Sequence, residues 1–270
     1  MVLNETYKLV NGNEIPKIAF GTWQIENDDA RRCVCQALNI GYKHIDTAAA
    51  YENEKGVGEG LKDSNVSRDD IFLTSKIPAE VKTYEGAVDV INQTLENLQI
   101  DSIDLMLIHA PRPWAEMFPP QGNMYYEENV QVWKALEEAY EAGKVKAIGV
   151  SNFQIEDIQN IFDNCKIKPM VNQIQVHVGN VPAELIDFCK ANDMVVMAYA
   201  PNATGGLINN NEIKKVADKY GVTTPQICIR FDLQLGLIPL PKTVHEEYMK
   251  VNADIDFEIS DEDMDILKAI

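Results

Sequence analysis

The sequence has few of the residues from which transition-metal sites are built. It contains four histidines and five cysteines in 270 residues, with neither an HExxH motif nor a CxxC pair. Cys33 and Cys35 stand two positions apart, a spacing that turns them to nearly opposite faces of a helix. Structural metal centres and disulfide frameworks need closer groupings of such residues. We therefore expect no metal ion, and reduced rather than paired cysteines.

Long apolar runs and an excess of basic residues are also missing. No stretch approaches the roughly 18 uninterrupted apolar residues of a membrane span. The start, MVLNETYKLV, lacks the basic-then-apolar layout of a signal peptide. We therefore expect a cytoplasmic protein without membrane contacts. The formal net charge of −18 repels phosphodiester backbones, so we expect no nucleic-acid partner either. An anionic cofactor would have to find a local positive site.

No linker rich in Pro, Ser or Gly and no low-complexity block interrupts the chain. Hydrophobic residues make up 46% of it, and the charges are scattered throughout. This composition suits one large core, so we expect a single domain over residues 1–270. Nothing in the sequence demands an interface between subunits, and a monomer is compatible with it.

Short apolar runs alternate with amphipathic helical patterns along the chain. An Asn11-Gly12 turn between two extended runs first predicts a β-hairpin. Eight predicted strands follow, at residues 17–21, 43–46, 71–76, 103–109, 145–151, 170–175, 195–200 and 237–241. Their mostly apolar character is typical of strands buried on both faces. Strand-helix alternation repeated eight times favours a closed (β/α)8, or TIM, barrel over an open doubly wound sheet.

Capping residues mark the predicted helix boundaries. One helix is expected to begin at the cap Thr83, and another to run from Asn129 to Gly143. Pro225 fits the first helical position of a third, after Thr224.

Two glycine-containing segments bear on phosphate binding. Glycines 56, 58 and 60 resemble a GxGxxG run, but they do not form a strand-to-helix turn, so we do not interpret them as a dinucleotide fingerprint. The run ATGG at 203–206 follows the seventh strand. It is either a pyrophosphate-binding loop that uses backbone N–H groups or an ordinary surface loop.

Polar side chains stand at the ends of the predicted strands, where barrel enzymes place their chemistry. They are Asp46, Lys76, His109, Ser151 with Asn152, Gln173, Tyr199 and Lys242. Each has a structural alternative; a lone histidine such as His109, for example, often lies satisfied in a core. However, Asp46, Lys76 and His109 end consecutive strands, so we expect their side chains to lie side by side.

These residues suggest proton transfer to a carbonyl oxygen. A carboxylate at Asp46 would keep a desolvated Lys76 charged, and that cation would lower the pKa of a nearby phenol from about 10. Tyr51, five residues beyond Asp46, is the available phenol. Such a tyrosine is a general acid for a developing alkoxide, and His109 can hydrogen-bond the same oxygen.

Several spaced segments together resemble the aldo-keto reductase family, in order and register. They are GYKHIDTAAAYENEKGVGEGL (41–61), LTSK (73–76), LMLIH (105–109), GVSNF (149–153), VNQI (171–174), AYAP (198–201) and IPLPKTVHEEYMKVN (238–252). The short tail is similar to the compact bacterial members, of the diketogluconate reductase type. The resemblance implies reduction of an aldehyde or ketone by NADPH. It also implies a catalytic tetrad of Asp46, Tyr51, Lys76 and His109, with Tyr51 as proton donor.

The resemblance further implies a set of binding residues. Ser151, Asn152 and Gln173 would hold the nicotinamide carboxamide. Tyr199 would stack on its ring, and Lys242 with Thr243 would receive the adenosine phosphate. The remaining implied cofactor contacts are Gly21, Thr22, Trp23, Asp46, Val244 and Asn252. The implied substrate contacts are Trp23, Tyr51, His109 and Trp114.

Two departures from the family pattern concern substrate and pyrophosphate. Ala110 replaces the aromatic residue usual after the catalytic histidine, which removes one wall of the pocket. Either Trp114 or the pair at 117–118 would supply the missing apolar surface. Ala200-Pro201-Asn202 stands where Ser-Pro-Leu is frequent, so a hydroxyl group near the pyrophosphate is lost.

A third departure concerns the choice of cofactor. Tyr248 stands where an arginine commonly binds the 2′-phosphate, and His245 where a small hydroxyl residue is frequent. Tyrosine cannot replace a bidentate charged contact. Lys242 still supplies one cation, so we expect NADPH to be preferred, less strongly than in arginine-bearing relatives, with NADH as the alternative.

Two other functions remain open at this point. Lys76 at a strand end would also suit a Schiff-base lyase or aldolase. A nucleotide-sensing protein that keeps the cofactor site without useful turnover is the second alternative. Specificity is expected to lie in the loops 110–128 and 202–210.

Overall fold

Eight parallel strands in the computed structural model form the sheet that positions the site. The structure describes residues 1–117 and 122–270. The barrel strands are β3 (Phe20–Gly21), β4 (His44–Asp46), β5 (Phe72–Ile77), β6 (Leu105–Ile108), β7 (Ile148–Ser151), β8 (Val171–Gln175), β9 (Val195–Tyr199) and β10 (Ile238–Leu240). They neighbour one another in chain order from β3 to β10.

Backbone hydrogen bonds between the first and last strands close the barrel. The N–H of Ala19 donates to the carbonyl of Pro239 at 3.1 Å, and the N–H of Gly21 donates to that of Pro241 at 3.0 Å. The predicted (β/α)8 barrel is therefore confirmed, including its eight strands.

Ten helices lie in the described part of the chain, most of them connecting the barrel strands. They are α1 (Asn27–Ile40), α2 (Glu54–Asp63), α3 (Tyr84–Leu98), α4 (Tyr126–Glu141), α5 (Ile155–Asn164), α6 (Ala183–Ala191), α7 (Asn211–Tyr220), α8 (Thr224–Gln234), α9 (Glu246–Ala253) and α10 (Asp261–Lys268). None of them, within the described ranges, is long and apolar enough to cross a membrane.

The predicted hairpin is present and covers the amino-terminal end of the barrel. Strand β1 (Thr6–Lys8) pairs antiparallel with β2 (Glu14–Pro16). Gly12 in the connecting turn has a φ of +92°, a conformation that favours glycine. The side-chain amides of Asn11 and Asn13 both donate to the carbonyl of Lys146, just before β7. The opposite, carboxyl-terminal end is left for the functional side chains.

Helix capping explains why one predicted boundary is right and two are shifted. The hydroxyl of Thr83 accepts from the N–H of Gly86, which confirms the predicted start of α3. Helix α4, however, begins at Tyr126, because the side chain of Asn129 is used elsewhere: it donates to the carbonyl of Pro111. Thr223, not Thr224, caps α8, so Pro225 is its second residue.

The three glycines of the GxGxxG-like run lie within α2 and serve helix packing. A Cβ atom on Gly56 would lie 2.1 Å from the carbonyl oxygen of Asn27 in α1. One on Gly58 would lie 2.6 Å from that of Leu98 in α3. Because real Cβ atoms do not approach so closely, glycine is required for α2 to pack between its neighbours. Helix packing therefore explains the glycine run, and no phosphate-binding role is needed for it.

Candidate active site

The carboxyl ends of β4, β5 and β6 bring together the four residues of the predicted catalytic group. Asp46 is the last residue of β4, Lys76 the penultimate residue of β5, and His109 directly follows β6. The N–H of His109 donates to the carbonyl of Ile77 at 3.0 Å, which fixes it beside β5. Tyr51 ends a short 3-10 turn between β4 and α2. The expected side-by-side arrangement of these residues is therefore present.

Lys76 is the hub of this group. Its Nζ donates to Oδ1 of Asp46 at 2.6 Å, to the carbonyl of Thr47 at 2.8 Å and to Oη of Tyr51 at 3.3 Å. The side chain is fully buried. Burial lowers the pKa of Lys76, but Asp46 and Tyr51 outweigh it and raise that pKa above its ordinary value. Lys76 is therefore charged at neutral pH.

Tyr51 keeps its proton in this environment. Burial raises the pKa of its phenol, and although Lys76 opposes that rise, Asp46 adds to it. The predicted lowering of this pKa is wrong for the protein alone, because desolvation of the phenolate exceeds the attraction of the single cation. Lys76 donates to the phenolic oxygen, so the O–H of Tyr51 is left to act as a donor. A protonated phenol is the form that a general acid requires.

His109 is a neutral imidazole that faces two aromatic rings. Its ring lies edge-on to Tyr51, with centroids 5.6 Å apart, and to Trp114, at 5.2 Å. Burial, reinforced by the charge of Lys76, holds the pKa of His109 well below its ordinary value. Its Nδ1 is buried and has no hydrogen-bond partner in residues 1–117 and 122–270. A neutral imidazole can donate one N–H to a substrate oxygen without competing for the proton of Tyr51.

The amide side chain of Asn152 links the rim of the barrel to His109. Asn152 lies at the end of β7 with a left-handed φ of +60°. Its Nδ2 donates to the carbonyl of His109 at 3.0 Å and to Oγ of Ser151 at 3.1 Å. Its Oδ1 accepts from the hydroxyl of Tyr199 at 2.8 Å. Burial raises the pKa of Tyr199 to about 12, so this phenol is protonated and donates.

Gln173 joins the amide side chains to the charged pair. It lies within β8 rather than at its end, and its Nε2 donates to Oδ2 of Asp46 at 2.7 Å. Both oxygens of Asp46 therefore have a partner, Lys76 on one and Gln173 on the other. The residues expected to bind a carboxamide and those expected to move a proton form one hydrogen-bonded group.

The loop after β3 borders the same mouth. Thr22 is buried and its hydroxyl donates to the carbonyl of Asp46 at 3.0 Å. Trp23, the next residue, has 47% of its surface exposed although it is a large aromatic side chain. Gly21 is buried between β4 and the chain after β10. The exposed indole is thus available to a ligand at the mouth.

The segment after β10 carries the remaining predicted cofactor residues. Lys242 is exposed, and within the described ranges no carboxylate lies within 4.0 Å of its Nζ. The hydroxyl of Thr243 accepts from the N–H of His245 at 3.2 Å. Val244 precedes α9, and Asn252 is buried near the end of that helix. An exposed, unpaired cation in a chain of net charge −18 fits an anionic group.

Ala110, noted as a departure from the family pattern, lies in the interior of the protein. Ala110 is buried against Ala79 and Met117 in a small apolar cluster. Trp114 is 37% exposed and packs edge-on against His109, which suits its predicted role as a substrate contact. Phe118, the other half of the proposed pair, lies outside the described residues.

Two residues near Ala110 were not predicted from the sequence as site residues. The half-buried side chain of Lys82 donates through Nζ to the carbonyl of Ala110 at 3.0 Å and to Oδ1 of Asn129 at 2.9 Å. Asn129 in turn donates to the carbonyl of Pro111. Burial lowers the pKa of Lys82 to about 8. Nothing in the local sequence marks either residue, because the two residues bind each other and the carbonyls of Ala110 and Pro111, all distant in the chain.

No metal centre is evident in the part of the chain that the structure describes. Those residues contain no group of three or more His, Cys, Asp or Glu side chains that could hold an ion. The five cysteines are free, and Cys33, Cys189 and Cys228 are buried.

Comparison with known proteins agrees with the fold. The model of the aldo/keto reductase family matches residues 17–270. The chain is 40% identical over 270 residues to the glyoxal reductase of Bacillus subtilis, covering 99% of this chain and 93% of that protein. It is 34% identical over 260 residues to the methylglyoxal reductase DkgA of Escherichia coli K12, covering 95% and 90%.

Solved structures of the same family superimpose over nearly the whole chain. An aldo/keto reductase from Brucella melitensis has a TM-score of 0.91 and 35% identity, with 100% of this chain and 98% of that one covered. An aldo-keto reductase from Bombyx mori in complex with NADP has a TM-score of 0.88 and 30% identity, with 98% and 92% covered. This chain therefore belongs to the aldo/keto reductase family of NAD(P)H-dependent oxidoreductases.

Proposed function

We propose that this protein reduces small aldehydes and ketones to alcohols with NADPH, and that Tyr51 donates the proton. The observation that carries the proposal is the contact between Lys76 and the phenolic oxygen of Tyr51, with Asp46 behind the lysine. It places a fixed cation beside the oxygen on which negative charge develops when the phenol loses its proton. His109 lies edge-on to the ring of Tyr51, and Trp114 lies edge-on to His109.

The side chains at the mouth fit a nicotinamide cofactor. The amides of Asn152 and Gln173 and the hydroxyl of Ser151 match the donors and acceptors of a carboxamide. Tyr199 offers an aromatic face beside them, and Lys242 a cation for a phosphate. The bound cofactor would supply a hydride to the carbonyl carbon. Binding and orientation of its ring would fall to the amide group and Tyr199.

The proton-transfer step follows from the charges of the site. A carbonyl oxygen between Tyr51 and His109 would accept hydrogen bonds from the phenol and from the neutral imidazole. As negative charge develops on this oxygen, the proton of Tyr51 passes to it and the alcohol forms. Lys76 stabilises the phenolate that remains, because its ammonium already donates to that oxygen. Asp46 keeps the lysine charged throughout.

The same charges argue against the lyase alternative. A Schiff-base lysine must be neutral to attack a carbonyl group. The ammonium of Lys76 is instead stabilised by Asp46 and Tyr51, which raise its pKa. The names of the relatives, glyoxal reductase and methylglyoxal reductase, favour small carbonyl compounds as substrates.

The experiment is a substrate screen with both cofactors. Purified protein is mixed with NADPH or NADH and a panel of aldehydes, ketones, diketones and keto sugars that includes glyoxal and methylglyoxal. We expect oxidation of NADPH with at least one small dicarbonyl compound, with a higher kcat/KM than for NADH. Absence of oxidation with every carbonyl compound would refute the proposal. So would trapping of a ketone on Lys76 by borohydride. Equal or NADH-favouring values would overturn the cofactor preference alone.

A further inference from the structure

Helix α1 brings a second cation to the segment that follows β10. Nη1 of Arg32 donates to the carbonyl of Val244 at 3.2 Å. Four residues further along the same helix, Nε2 of Gln36 donates to Oε2 of Glu246, in the first turn of α9, at 3.1 Å. These two contacts fix the middle of α1 against the segment that carries Lys242 and the start of α9.

The guanidinium of Arg32 is held in place yet remains accessible. Nη1 also donates to Oε1 of Gln36 at 3.0 Å, and Nη2 donates to Oδ1 of Asp29 at 2.9 Å. About half of the side chain, 47%, is exposed. Of its five N–H groups, the Nε–H and one on Nη2 have no partner among the described residues. A preorganised arginine with free donors loses little entropy when it binds an anion.

The thiol of Cys33 shows that both cations act on one small region. Its Sγ lies 4.0 Å from the carbonyl oxygen of Val244. Burial raises the pKa of Cys33, and the charges of Arg32 and Lys242 both oppose that rise. Arg32 and Lys242 are therefore within electrostatic range of the same group.

We propose that Arg32 binds the 2′-phosphate of NADPH and sets the preference for NADPH over NADH. It would thereby supply, from α1, the charge that the uncharged Tyr248 does not supply from α9. This inference rests on the proposed function, because it takes the segment from Lys242 to His245 as the adenosine site. The nearby carboxylate of Glu246 is neutralised by Lys250 at 2.6 Å, which leaves Asp29 as the acid that competes for the guanidinium.

Nucleotide binding tests this directly, without turnover. The Kd values for NADPH and NADH are measured by quenching of tryptophan fluorescence in the wild-type protein and in Arg32→Ala. We expect the Kd for NADPH to rise about tenfold, since a half-exposed charged hydrogen bond is partly screened. The Kd for NADH should stay within about twofold, because NADH lacks the phosphate. Equal changes for both nucleotides, or no change, would overturn the inference.

Arg31→Ala is the matched control on the same helix. Arg31 pairs with Asp63 at 2.6 Å and with Glu59 at 3.6 Å, on the face of α1 that meets α2. Its loss should leave both Kd values unchanged. A selective rise in the Kd for NADPH as large as that in Arg32→Ala would refute the assignment. Asp29→Asn frees the guanidinium, so we expect tighter NADPH binding; weaker NADPH binding would contradict the inference.

Different results would refute the proposed function and the role of Arg32. A wild-type protein that binds neither nucleotide would refute the proposed function. If the wild-type protein binds NADPH and reduces glyoxal, but the ratio of its Kd values for NADPH and NADH is the same in Arg32→Ala, this inference alone would be refuted.

Discussion

Nζ of Lys76 lies 2.6 Å from Oδ1 of Asp46, and both side chains are removed from solvent. A buried ion pair is stable only while both partners are present, because either charge alone would be left without solvent or counter-ion. Lys76 also donates to Tyr51, so the same pair serves the fold and the proposed proton transfer. Stability and activity are therefore expected to change together when it is broken.

Lys76→Met should lower both the stability of the protein and its activity. The buried carboxylate of Asp46 would lose its counter-ion, at a cost of about 3 to 5 kcal/mol in the free energy of unfolding. Carbonyl reduction should fall by roughly 10²- to 10⁴-fold, and the pH profile of the residual activity should shift, since Tyr51 loses its neighbouring cation. Chemical denaturation and steady-state kinetics measure the two effects. Adding Asp46→Asn should recover part of the stability and none of the activity; a single variant as stable as the wild type would contradict the account.

Much of this arrangement could be predicted from the sequence, because it depends on chain order. In a parallel barrel, residues that end consecutive strands become neighbours, so Asp46, Lys76 and His109 could be placed together without coordinates. The hairpin and the start of α3 followed in the same way from local turn and cap residues. Such features depend on a few adjacent positions, so the local sequence is enough to predict them.

Features that depend on burial and on distant partners could not be predicted. The direction of the pKa shift of Tyr51 depends on how completely the ring is desolvated, which strand order does not give. The need for glycine in α2 depends on how closely the backbone at Leu98 approaches it, a distance that the sequence does not contain. Nζ of Lys82 donates to the carbonyl of Ala110, just after His109, although the sequence around Lys82 resembles an ordinary surface loop.

The protein should lose stability in acid through its buried histidines. His44 is fully buried, and burial lowers its pKa from 6.5 to about 3, while His109 is lowered as well. The unfolded chain therefore binds protons that the folded protein does not bind. Stability is full above the unfolded pKa and falls below it, by about 2 kcal/mol for His44 between pH 6.5 and about pH 5, and His109 acts in the same direction.

His44→Gln tests the sign of this effect. The amide can keep the hydrogen bond that Nε2 shares with Oγ1 of Thr74 at 2.8 Å, but it cannot take up a proton. Unfolding free energies measured from pH 5 to 8 should therefore show a shallower pH dependence in the variant than in the wild type. Identical slopes would show that His44 is not the titrating group.

Lys82→Met should act on substrate binding rather than on the cofactor. It leaves the carbonyl of Ala110 and Oδ1 of Asn129 without their donor, beside the proposed pocket wall. We expect the KM for the carbonyl substrate to rise roughly three- to tenfold, the equivalent of one lost hydrogen bond, with an unchanged Kd for NADPH. Lys144→Met, which removes an exposed lysine bound to Asn92, is the control. A larger effect on the Kd for NADPH than on the KM would show that Lys82 acts on cofactor binding instead.

The central claim is that Tyr51 supplies the proton, and Tyr51→Phe tests it most directly. The substitution removes the hydroxyl group, while Lys76 keeps Asp46 and the carbonyl of Thr47 as partners. In the variant, the Kd for NADPH is measured by fluorescence quenching and kcat with the best substrate of the screen. We predict a nearly unchanged Kd and a kcat reduced by roughly 10²- to 10⁴-fold. A variant that binds NADPH and turns over at the wild-type rate would contradict the account.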